Sequence, residues 1–154
     1  MLLVEDDDGD ALLVREFLAD TGETFDLLRA RSVAEALEGP HAGVDCLLLD
    51  LGLPDAQGIE AVTRILEGAP GVAIVVLTGL YDAEKGIQSV AAGAQDYLVK
   101  GQVDGDGLSR AIHYATERRA SDEARRRMLL AERRQRENER MARGLLPSPI
   151  VADP

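Results

Sequence analysis

Three carboxylates, a hydroxyl and an amine stand where apolar runs of this chain stop. Glu5 and Asp6 follow Val4, Asp50 follows Leu49, Thr78 follows Leu77 and Lys100 follows Val99, while Tyr97 opens that last run. Neighbouring carboxylates repel unless a cation neutralises them, and an all-oxygen set suits Mg²⁺, with Mn²⁺ as a second choice. Mg²⁺ keeps several waters and usually takes one or two carboxylates together with phosphate oxygens. An Asp carboxylate can itself act as a nucleophile and carry a phosphoryl group. A Lys ammonium and a Thr hydroxyl would then meet the phosphoryl oxygens. Asp50, the lone acid directly at the end of a central run, is the nucleophile this set points to.

Those residues work together only if the run ends share one edge. Residues 1–4, 46–49 and 73–77 are continuous apolar stretches, the pattern of parallel strands covered on both faces. Residues 25–30 and 97–99 are two weaker candidates. Helical patterns lie between them at 11–19, 33–38, 59–67 and 83–92, with a long one from 108. Alternation of this kind predicts βαβ units with right-handed crossovers. The expected fold is α/β: a flavodoxin-like, doubly wound (βα)5 parallel sheet of order 2-1-3-4-5, with its crevice at the carboxyl ends of the strands.

The segments LLVEDD, LLLDLGLPDAQG, VVLTG and GAQDYLVKG follow one another at spacings that resemble the receiver domain of two-component response regulators, over residues 1–116. The resemblance implies that Asp50 is the phosphoacceptor and that Asp6 and Asp50 bind Mg²⁺ with help from Glu5. It also implies that the Gly52 carbonyl is a further ligand, that Thr78 and Lys100 contact the phosphoryl group, and that Tyr97 is an aromatic whose rotamer follows Thr78. A histidine kinase or phosphotransfer protein is the implied partner. The domain would catalyse its own phosphorylation and dephosphorylation without being an enzyme in the usual sense. One departure stands out: the family usually has Pro after the active-site Lys, with a cis peptide, whereas this chain has Gly101. Met1 opens the first strand with nothing before it, so native residues are expected upstream.

Other residues have plainer uses. Asp7, Asp8 and Asp10 are expected to cap a helix or solvate a loop, and Cys46 to be a small core residue. His41 and His113 lack metal-ligand partners at useful spacing and receive no role. One cysteine excludes a disulfide framework. No apolar run approaches the ~20 residues that span a bilayer, so no membrane association is expected, and the protein is expected to be cytoplasmic.

Charge marks a boundary. Residues 118–143 hold ten Arg and five acids, a net of +5, against −16 for the remainder. The segment has no aromatic residue for base stacking and mixes both signs, which argues for a solvated helix and against nucleic-acid binding. It also lacks Pro and Gly and is rich in Ala, Arg, Glu and Leu, so the last helix should run on through it as a linker over 117–143. Its least polar stripe is Ala120, Ala124, Met128, Ala131, Gln135, Asn138 and Ala142, with Leu145 beyond. That thin seam suits a homodimeric coiled coil or a solvated single helix. Gly144 is expected to end the helix. Residues 144–154 would then begin an output domain or form a tail. ARGLLPSPIVADP resembles the junction into a bacterial metal-dependent serine/threonine phosphatase domain, which would make this chain the input half of a longer regulator.

Three other functions are weighed against the receiver. A haloacid-dehalogenase-like phosphatase also uses an Asp nucleophile after a strand, but resemblance to that family requires a second Asp two positions on, where Gly52 stands. A flavin-binding module would need a Ser/Thr-rich phosphate loop after the first strand, where acids stand instead. A phosphorylation-independent interaction module needs none of these residues.

Overall fold

Strands and helices alternate along the chain: β1 (Leu2–Val4), α1 (Asp8–Asp20), β2 (Leu28–Ala30), α2 (Val33–Glu38), β3 (Cys46–Asp50), α3 (Ile59–Gly68), β4 (Ala73–Thr78), α4 (Ala83–Ala91), β5 (Asp96–Val99) and α5 (Gly105–Leu145). The structure, a computed structural model, describes residues 1–39, 43–80 and 82–145. His41 and residues 146–154, with their proposed junction, lie outside them.

The strands form one parallel sheet of order β2-β1-β3-β4-β5. Every residue of β3 and β4 is buried, because helices cover both faces. Alternate strand side chains therefore feed two cores. Val4, Leu47, Leu49, Ile74 and Val76 pack with Val33 and Ala36 of α2 and Ala61, Val62 and Ile65 of α3. Leu3, Leu48, Val75 and Leu77 pack with Ala11, Val14 and Leu18 of α1 and Leu108, Ala111, Ile112 and Ala115 of α5. Cys46 is buried in the second core, and burial pushes its thiol up to about 12.

Register fixes the functional edge. Val4 pairs with Leu49, Asp50 with Leu77 and Thr78 with Val99, so β1, β3, β4 and β5 end side by side. Element bounds depart from the sequence expectation where side chains cap. Asp7 accepts from the Asp10 amide at 2.9 Å, and α1 starts at Asp8 instead of residue 11. The Asp104 carboxylate accepts from the Gly107 amide at 2.8 Å, and α5 starts at Gly105 instead of 108. β2 begins at Leu28, three residues later than expected, where the Leu28 amide bonds the Met1 carbonyl at 3.0 Å. At its far end α5 runs through Gly144 to Leu145, so Gly144 does not stop it.

The chain divides into two units, Met1–Ala120 and Ser121–Pro154. In the second, every residue from 121 to 144 is exposed. Its helix is supported along its own surface instead: Arg127 pairs with Glu123, Arg133 with Glu137 at 3.4 Å, and Arg136 with Glu132 at 3.8 Å, all four residues apart. Among the described residues, no helix is long and apolar enough to cross a membrane.

Candidate functional site

β1 delivers Glu5 and Asp6, and β3 delivers Asp50, to neighbouring ends of the sheet. One oxygen from each of these three carboxylates lies within 4.8 Å of the others. Glu5 is almost wholly buried, at 1% exposure, while Asp6 is exposed. Across the sheet, the Lys100 backbone amide bonds the Thr78 carbonyl at 2.8 Å, which anchors the residue after β5. From there the Lys100 ammonium reaches Glu5 Oε2 at 2.6 Å and Asp50 Oδ1 at 2.7 Å. Asp50 Oδ2 accepts from the Gly52 amide at 2.7 Å. Thr78 is buried at the end of β4, its hydroxyl donating to the Gly79 carbonyl at 3.3 Å. The expected acids and amine are thus brought together, with the hydroxyl on the adjoining strand.

Tyr97 belongs to a different neighbourhood. Its ring packs with the first core and lies against α4, so close that a Cβ on Gly86 would stand 2.4 Å from Tyr97 Cδ2. Gly86 therefore makes room for the aromatic ring. Gly101 follows Lys100 with φ +82°, a left-handed conformation that glycine adopts without penalty. No peptide bond among the described residues is cis.

Electrostatics follow from burial. Desolvation pushes the Glu5 carboxyl above its usual range; the hydrogen bond from Lys100 only partly offsets this, and the Asp50 charge adds to it. Burial works against the Lys100 charge, but hydrogen bonds to Asp10, Asp50 and Glu5 outweigh it and raise the amine above its ordinary value.

Asp10 corrects the sequence reading. Placed there among capping and solvating acids, it sits with its Oδ2 2.6 Å from the Lys100 ammonium. The reason is the earlier start of α1, which puts Asp10 in the first turn on the same face as Val14 and Phe17, directed at the sheet edge. Placing the N-cap at Asp7 would have revealed it.

Two arginines were also missed. Arg29 of β2 donates Nε to the Glu5 carbonyl at 2.9 Å, Nη2 to the Asp6 carbonyl at 3.0 Å and Nη1 to Asp8 Oδ1 at 2.7 Å. Arg31 adds bonds to the Asp6 carbonyl at 3.2 Å and Asp8 Oδ1 at 2.6 Å. Hydrogen bonds from Arg29, then from Arg31, hold the Asp8 carboxyl below its usual range. The loop bearing Glu5 and Asp6 is thereby fastened to β2. The loop after β3 is fastened in turn by Asp55, whose carboxylate accepts from the Val33 and Ala34 amides at 3.0 and 2.9 Å. Pairing to backbone groups more than twenty residues away leaves no signature in spacing.

The family model for the response regulator receiver domain matches residues 1–113. The chain is 38% identical over 84 residues to the DNA-binding transcriptional activator DevR/DosR of Mycobacterium tuberculosis, covering 54% of this chain and 38% of that protein. It is 34% identical over 100 residues to a cyclic di-GMP phosphodiesterase of Thermotoga maritima, covering 65% of this chain and 26% of that one. A crystal structure of a response regulator receiver domain protein from Clostridium thermocellum is similar at TM-score 0.66 and 27% identity, over 77% of this chain and 94% of that one. The chain thus spans about two fifths or less of these curated relatives, whose named activities differ from each other.

Proposed function

The chain belongs to the response regulator receiver domain family, and on that premise we propose that Asp50 accepts a phosphoryl group from a phosphohistidine donor in a Mg²⁺-dependent reaction. One Asp50 carboxylate oxygen forms the new P–O bond as the donor P–N bond breaks, and the electron pair of that bond stays on the imidazole nitrogen. The observation that carries the reading is Lys100 bridging Asp50 and Glu5, two of three convergent carboxylates. A set of hard oxygen donors, with Glu5 and Asp50 buried and Asp6 exposed, fits a small hard cation. Glu5, Asp6 and Asp50 would hold it, with the Gly52 carbonyl as a further ligand. Bound Mg²⁺ (Mn²⁺ could replace it) would neutralise charge on the phosphoryl oxygens. Lys100 and Thr78 then supply a charge and a hydroxyl to those oxygens.

Phosphorylation brings about −1.5 to −2 charges to this edge. The reading continues with a two-state response of Thr78 and Tyr97 that reaches the face formed by α4, β5 and α5. Receivers of this family are generally not enzymes, so the output would lie in a partner or a further domain. The resemblance of residues 142–154 to a phosphatase junction motivates one such domain. A histidine kinase or phosphotransfer protein would donate the phosphoryl group in the cytoplasm. Residues 117–143 would pair two chains along Ala124, Met128 and Ala131, with association strengthened by salt because like charges oppose it. Sedimentation of the full chain and of a chain ending at Ala120 checks that pairing: a monomeric full chain at every salt concentration contradicts it.

Intact mass after incubation with acetyl phosphate and Mg²⁺ tests the central claim. Wild type should gain one phosphoryl group and Asp50→Ala none. A full mass shift in Asp50→Ala removes Asp50 from the role. Metal binding with no shift in wild type would leave a phosphorylation-independent interaction module.

A further inference from the structure

Resting on that assignment of Asp50, we propose that Asp10 is a positioning residue that holds Lys100 in the unmodified protein and so opposes loading of the site. An ammonium has three N–H donors. Those of Lys100 face Glu5 Oε2 at 2.6 Å, Asp10 Oδ2 at 2.6 Å and Asp50 Oδ1 at 2.7 Å. A phosphoryl oxygen gains the amine only when one of these carboxylates gives it up.

The three acceptors are not equally free to do so. Asp50 is the group being modified. The Glu5 side chain is 1% exposed, so it cannot exchange the amine for water. The Asp10 side chain is 44% exposed and returns to water at little cost. It also stands in the first turn of α1, where the helix end favours an acid with or without the amine. Besides Asp50 itself, Asp10 is therefore the acceptor that gives way. Its charge acts in the same direction, because it repels the anionic phosphoryl group arriving beside it. Both effects make the acid a brake on phosphorylation, whereas a merely supporting residue would weaken the site on removal.

The sign of the effect supplies the test. The full chain is titrated calorimetrically with beryllofluoride, a phosphoryl mimic, in excess Mg²⁺. Asp10→Asn should bind about fivefold more tightly than wild type, the scale of one partly exposed ion pair. Asp10→Glu, still anionic, should return toward wild type. Asp7→Asn, which keeps a capping oxygen and does not touch Lys100, should change affinity less than twofold. Asp10→Ser repeats the measurement should the amide variant fold poorly. Equal or weaker binding in Asp10→Asn and Asp10→Ser overturns the proposal, as does an equal gain in Asp7→Asn, which would assign the effect to charge alone. A wild type that neither binds beryllofluoride nor gains mass with acetyl phosphate overturns the Asp50 reading as well, so the two failures are distinguishable.

Discussion

The sheet-containing unit and the helical unit after it are stabilised by different physics. In Met1–Ala120, the wholly buried strands β3 and β4 divide their apolar residues between two cores, and the candidate site sits at the edge where those strands stop. In residues 121–144 nothing is buried, and regular structure rests on helix propensity and charge pairs within the helix. Tertiary packing can hold a precise site; local propensity can hold only a shape. The candidate site accordingly lies in the first unit, while residues 121–144 of the second are exposed throughout.

The largest effect that could break this contrast is a cavity. Leu48→Ala, in a fully buried position of β3, should cost about 2–5 kcal/mol in denaturant unfolding. Leu129→Ala in the exposed helix should stay within about 0.5 kcal/mol of wild type. A comparable loss at Leu129 would mean that the helical unit has a packed partner in solution.

A smaller effect separates function from stability inside the first unit. Arg29 is not one of the proposed metal or phosphoryl contacts, yet it bonds the carbonyls of both loop acids. Arg29→Ala should therefore weaken Mg²⁺ binding by about tenfold, the usual scale for partners that orient ligands. Calorimetric titration with Mg²⁺ measures this, and unchanged affinity would reduce Arg29 to a surface clamp.

Acid sharpens the same comparison. The Asp8 carboxyl is depressed by Arg29 and Arg31, so its contribution is present above the ordinary Asp range and lost as pH falls through the lower folded value. Thermal melts from pH 6 down to 3 should show Asp8→Asn converging on wild type at the acid end. Curves that stay parallel would show that this contact contributes nothing through charge. The smallest effect belongs to the helical unit: Glu123→Gln removes the pair with Arg127 and should cost about 0.2–0.5 kcal/mol of helix stability, less in high salt. Circular dichroism of residues 115–145 as a peptide would detect it.

The same division explains what could be read in advance. β3 and β4 were legible because burial on both faces demands unbroken apolar runs, and acids at their ends stand out against them. The extent of α5 was legible because propensity and the absence of breakers are local properties, although Gly144 was overrated as a stop. Asp10 was misassigned because its role depends on where the first turn of α1 begins, a matter of one capping side chain. Arg29, Arg31 and Asp55 act on backbone groups across the fold, and neither their type nor their spacing reveals the partner.

Cys46 has one further use. It is the sole thiol in the sequence, sits in the central strand β3 and is held far from its reactive thiolate form. Alkylation can then proceed only through openings that expose the core between the sheet and helices α1 and α5. Its labelling half-life is a stopwatch for such openings, read by mass on the native chain with no probe introduced. Ligands that favour the closed form should slow that clock in proportion to their occupancy.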